Sequence, residues 1–126
     1  MTHTAIIVED DHKVAEQISG MLGKLNVDAS ICHSSREVML KVQQTRPNFM
    51  TVSINLKAGV DGVEVMRYMR REPLTSGIPI IVITSETRPL ELQRAQLAGA
   101  KIFVSKPVQF DKLAAAVEEA IEMTHY

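Results

Sequence analysis

Phe49-Met50-Thr51-Val52-Ser53-Ile54-Asn55-Leu56-Lys57-Ala58-Gly59-Val60-Asp61-Gly62 reads as a strand, a loop and the start of a helix. Pro47 blocks helix just ahead of it, because the residue before a proline is pushed to extended backbone. Phe49–Ser53 is then a strand with a polar residue at its carboxyl end. Asp61-Gly62-Val63-Glu64 has capping-box spacing, and the helix it opens runs to about Glu72, before Pro73.

The same alternation extends in both directions. Upstream, Ala5–Val8 is a continuous apolar run, as expected for a strand buried on both faces. A helix over His12–Leu25 follows, with Val14, Ile18, Met21, Leu22 and Leu25 on one stripe. Ala29–Cys32 is a short second strand. Ser34-Ser35-Arg36-Glu37 opens a helix to about Thr45. Downstream, Ile78–Ile83 is strand four. Pro89 suits the first turn of a fourth helix that Gly99 ends. Ile102–Val104 is strand five, and Leu113, Val117 and Ile121 give the last helix its buried stripe.

Five strand–helix units predict an α/β domain, a doubly wound parallel sheet with helices on both faces. Right-handed crossovers favour the flavodoxin-like strand order 2-1-3-4-5. The 126 residues, 45% of them apolar, suit a single domain over 1–126. A net charge of −1 gives no global field for nucleic acid or an anionic membrane. The lone Cys32 makes no internal disulfide and fits a reducing cytoplasm. Ala5–Val8 is too short for a signal peptide or a membrane span. No helix-turn-helix segment is left over for DNA binding.

In such a sheet the functional crevice lies at the carboxyl ends of the strands. Glu9, Asp10, Ser53, Thr84 and Lys106 all fall at or just after those ends. Taken alone, Glu9-Asp10-Asp11 suits a solvated turn that favours the next helix N-terminus. With Thr84 and Lys106 at neighbouring strand ends, it reads instead as carboxylates that a cation neutralises. Arg67, Arg70 and Arg71 read as a solvated basic face, and Met21, Met39, Met66 and Met69 as core. His12 falls on the first helix and His33 ends strand two, so no histidine is expected at the site. His3 and His125 sit in the termini without a metal-ligand pattern.

These motifs, in this order and spacing, resemble the receiver domain of bacterial two-component response regulators, of the chemotaxis-regulator type, over nearly the whole chain. The resemblance implies several roles. Glu9, Asp10 and Asn55 become a Mg2+ site. Thr84 binds a phosphoryl group, and Lys106, ahead of a cis-proline candidate at Pro107, neutralises it. Thr84 and Phe103 switch together. The family's phosphate-accepting aspartate ends the third strand, and Ser53 stands at the matching position. This register uses a loop one residue longer than the common one; in the shorter register the position falls on Ile54, also not acidic. Ser85 replaces a residue that is often alanine, which narrows access.

A serine hydroxyl is a poor nucleophile without an adjacent base, and ionised carboxylates are weak bases. The cluster is also one unit less negative than with an aspartate, so Mg2+ binding is expected to be weak. Lys106 is expected to pair with Asp10 or Glu9. The resulting expectation is a phosphorylation-independent, non-enzymatic, cytoplasmic module of two-component signalling. Its implied partners are histidine kinases, phosphotransfer proteins or output proteins. The face of the fourth helix, fifth strand and fifth helix, with Arg94, Leu97, Lys101 and Lys112, would serve output or homodimerisation. A second reading stays open: a phospho-accepting receiver whose aspartate has been replaced by Ser53. A flavin or nucleotide enzyme on this fold is disfavoured, because the acidic loop after strand one would repel phosphate and no Gly-rich phosphate loop occurs.

Overall fold

A computed structural model describes residues 2–54, 62–85 and 88–123. Asn55, Asp61 and His125 lie outside these described residues. The elements alternate: β1 (His3–Val8), α1 (His12–Lys24), β2 (Val27–Cys32), α2 (Ser35–Thr45), β3 (Phe49–Ser53), α3 (Gly62–Arg71), β4 (Ile80–Thr84), α4 (Pro89–Leu97), β5 (Ile102–Ser105) and α5 (Phe110–Glu122). All strand pairings are parallel, in the flavodoxin-like order β2-β1-β3-β4-β5.

Side chains alternate across each strand, so the sheet builds two cores. On one face Ile6, Val8, Met50, Val52 and Val82 pack with Val38 and Val42 of α2, Met66 and Met69 of α3, and Ala95 of α4. On the other, Ile7, Phe49, Ile81 and Ile83 pack with Ile18 and Leu22 of α1 and Leu113 and Val117 of α5. Burial on both faces explains why β1 and β4 read as unbroken apolar runs rather than alternating ones.

The helix ends follow local chemistry. Asp11 caps α1, its carboxylate accepting from the backbone N–H groups of Lys13 (3.0 Å) and Val14 (3.3 Å). Ser34 caps α2 by accepting from Glu37 N–H. The returning Glu37 carboxylate takes the N–H of His33 instead of that of Ser34, one residue outside the usual box. At the end of α4, Gly99 has φ +106°, and the N–H groups of Gly99 and Ala100 bond the carbonyls of Gln96 and Ala95. That pair is the Schellman arrangement, which needs a left-handed residue at this place.

Three strand starts differ from the sequence expectation. β1 begins at His3 rather than Ala5, and His3 already pairs with Val27. β2 begins at Val27, which is buried and pairs with His3, although Asp28 beside it is exposed on the edge strand. β4 begins at Ile80, because Pro79 has no N–H to give to a ladder. Its carbonyl still accepts from Met50 N–H at 2.9 Å.

Candidate functional site

Strand register gathers the site. Val8 lies beside Val52, Ser53 beside Ile83, and Thr84 beside Ser105. The residues at and just past these positions therefore meet at one edge of the sheet. α3 closes over that edge. A Cβ on Gly62 would lie 2.3 Å from the Ser53 carbonyl oxygen, so only glycine lets the helix start this close.

Glu9 is the centre of the site. It is only 1% exposed, yet it carries a carboxylate. Its Oε1 accepts from the Ser53 hydroxyl at 2.6 Å and pairs with Lys106 Nζ at 2.8 Å. Its Oε2 accepts from Asp11 N–H at 3.2 Å. Buried carboxylates survive only when paired and hydrogen-bonded, and Glu9 is both. Lys106 is held in turn by its backbone N–H, which donates to the Thr84 carbonyl at 3.0 Å. The Lys106–Pro107 peptide is cis, and Thr84 and Ser53 are buried. The network thus ties together the ends of β1, β3 and β5, with the end of β4 held through the backbone.

A histidine does reach this region, contrary to the sequence expectation. His33 Nδ1 lies 2.9 Å from the Glu9 carbonyl oxygen, and the His12 and His33 rings sit 4.4 Å apart, centre to centre. A carbonyl only accepts, so Nδ1 is the donor. The pairing of β1 with β2 puts Cys32 beside Val8, and Glu9 N–H bonds the Cys32 carbonyl. Strand adjacency was therefore the signal that places the next residue, His33, beside Glu9.

Arg70 also departs from its reading as a solvated surface residue. It donates to the carbonyls of Ser76 (2.6 Å) and Gly99 (2.7 Å), clasping the turn before β4 to the end of α4. Arg67 pairs with Glu64 on its own helix, and Arg71 is exposed as expected. Met66 and Met69 are core; Met21 and Met39 are half-buried. Ser85 is exposed. Phe103 is half-buried on β5, packed against the core, and helps line a groove of about 490 Å³ with Lys101, Lys106, Lys112 and Glu119. Leu97 is 81% exposed and lines a different groove, with Arg67, Arg70 and Arg71, and Arg94 pairs with Glu91.

The Glu9 geometry bears directly on magnesium binding. Mg2+ takes near-octahedral oxygen ligands and keeps several waters, so it needs carboxylate oxygens open to solvent. Both Glu9 oxygens are engaged by internal donors, and the side chain is sealed from water. Among the described residues, no three or more His, Cys, Asp or Glu side chains are grouped to hold a metal. Arranged like this, the Glu9 carboxylate does not fit the ion.

A doubly wound sheet with an acid, a hydroxyl and a lysine converging at its carboxyl edge defines the class of signal-receiving α/β domains. Residues 5–118 match the response regulator receiver domain, and the chain belongs to that family, a component of two-component signalling. It is 26% identical over 117 residues to the DNA-binding response regulator MtrA of Mycolicibacterium smegmatis, covering 93% of this chain and 50% of that protein. The chain thus spans about half the length of that curated relative. Among solved structures, a sensor protein from Polaromonas sp. JS666 superposes with a TM-score of 0.88 at 29% identity, covering 97% of this chain and 98% of that one. The signal receiver domain of a modulated diguanylate cyclase from Desulfovibrio desulfuricans superposes with a TM-score of 0.85 at 28% identity, over 97% and 95%. Among the described residues, no helix is long and apolar enough to cross a membrane.

Proposed function

We propose that this chain is a receiver module that signals by protein–protein contact and accepts no phosphoryl group at residue 53. Ser53 holds the place where a receiver carries its acceptor aspartate. The observation that carries the reading is the hydrogen bond from the Ser53 hydroxyl to the buried, lysine-paired Glu9. A carboxylate already neutralised by an ammonium is a poor base, so the hydroxyl gains no nucleophilic help from it. Thr84 and Lys106 hold the places of the phosphoryl-binding residues, and Phe103 that of the switch aromatic.

The module works in the cytoplasm by binding, without catalysis. Its partners are histidine kinases, phosphotransfer proteins or output proteins. The contact face is formed by α4, β5 and α5, where Leu97, Lys101 and Lys112 are exposed, and the same face serves a homodimer. With the acceptor replaced, the conformational preference is set by the resident side chains. A bias of only a few kcal/mol is enough to hold one state.

Intact mass after incubation with acetyl phosphate and Mg2+ tests this reading. The unmodified chain is expected to keep its mass, and a gained phosphoryl group on it overturns the proposal. A gain in the Ser53→Asp variant alone shows a receiver pocket complete except for its acceptor. That result also supports the alternative origin, in which a phospho-accepting receiver has had its aspartate replaced.

A further inference from the structure

We infer that the ammonium of Lys106 takes the place of a divalent cation in this pocket, so that the acid site is closed to Mg2+ by the chain's own lysine. The inference deepens the reading of the same site, but it stands on the Glu9 geometry and is tested separately.

Charge balance leads to it. Glu9 is a sealed carboxylate and needs a neutralising partner. Ser53 supplies a hydrogen bond but no charge, and Asp11 supplies a backbone N–H. Among the described residues, the Lys106 ammonium is the positive group on this carboxylate, 2.8 Å from Oε1. Because residue 53 is not acidic, Lys106 has no carboxylate at the end of β3 to answer. It turns to the end of β1, where the long Glu9 side chain meets it. Oε1 is then shared by two internal donors, and Oε2 is held by the loop. A magnesium ion entering here would have to break the ion pair, displace a hydroxyl and place its hydration shell where water does not reach.

Two substitutions would reverse this balance. Ser53→Asp adds a carboxylate within reach of the same lysine, so one ammonium faces two sealed acids. Lys106→Met removes the internal cation and leaves Glu9 uncompensated. In both, the pocket becomes more negative by one charge, and a divalent cation becomes the natural counterion.

The test is the thermal midpoint of the whole chain, read by circular dichroism with and without millimolar Mg2+, together with Mn2+-induced line broadening of backbone amides. The chain as it stands is expected to show no saturable midpoint shift and no selective broadening at Glu9, Ser53 or Lys106. Ser53→Asp is expected to gain a saturable upward shift, and Lys106→Met to gain one where it folds. A saturable shift in the unsubstituted chain overturns the inference. So does a Ser53→Asp variant that folds and ignores both ions, since charge balance would then not be what excludes the metal. Phosphoryl acceptance is read by mass and cation binding by these shifts, so the two proposals fail separately.

Discussion

The Ser53 hydroxyl donates a 2.6 Å hydrogen bond to Glu9 Oε1, joining the end of β3 to the loop after β1 across 44 residues of chain. Both side chains are 1% exposed, so neither finds water if the other is lost. Ser53→Ala is expected to destabilise the fold by about 1–3 kcal/mol, the cost of an acceptor left short of a partner. Lys106→Met is expected to cost more, about 3–5 kcal/mol, because it strands a buried carboxylate. Lys106 is a quarter exposed, which places its cost toward the lower end. Urea unfolding of each variant measures both losses.

Gly62→Ala is expected to damage the site without touching any polar group. The new Cβ would fall 2.3 Å from the Ser53 carbonyl oxygen and 2.8 Å from Ile54 Cα, both backbone atoms that cannot swing aside. The helix start must move away from β3. The cost is expected in the about 1–3 kcal/mol range of overpacking. Amide chemical shifts are expected to change at Ser53 and Glu9, as well as at the substituted residue.

Arg70→Ala is expected to loosen the junction between the turn before β4 and the end of α4. It removes donors from the Ser76 and Gly99 carbonyls, and hydrogen bonds from charged groups are worth about 1.5–3 kcal/mol each way. Arg70→Lys is not expected to restore the loss, since one ammonium cannot reproduce the planar fork that spans both carbonyls. Hydrogen exchange at Gly99 and Ala100 reports the loosening directly.

Cys32 gives a pH dependence with a definite sign. Burial, and then the Glu37 carboxylate, push its thiol up from 9.0 to about 11, against a smaller pull downward from Lys41. The folded value lies above the unfolded one, so the folded chain holds this proton more tightly. Its contribution is fully present below the unfolded pKa of 9.0 and is lost as pH rises toward the folded value of about 11. The native thiol is expected to react slowly with an aromatic disulfide reagent at neutral pH, and rapidly once urea exposes it.

The architecture was legible because its signals are local. The apolar run ending at Val8, the proline opening α4 and Gly99 after it each reflect a property of one or a few adjacent residues. The strand ends then located Glu9, Ser53, Thr84 and Lys106 at one edge. What the sequence left open depended on distance in space. Glu9 and Asp10 were alike as partners for Lys106; the structure pairs Glu9, the more deeply buried of the two, with it. Arg70 looked like its surface neighbours because its acceptor at Gly99 lies 29 residues away. Val27 and Asp28 escaped as the start of β2 because an exposed acidic residue on an edge strand carries little apolar signal.

A double-mutant cycle on Ser53 and Lys106 tests the closed network most directly. Ser53→Ala, Lys106→Met and the pair together would be unfolded in urea beside the unsubstituted chain. Both side chains bond the same oxygen of Glu9, so their effects are predicted to be coupled by about 0.5–3 kcal/mol. Losses that add within about 0.3–0.5 kcal/mol would show two independent contacts and contradict a single network at the site.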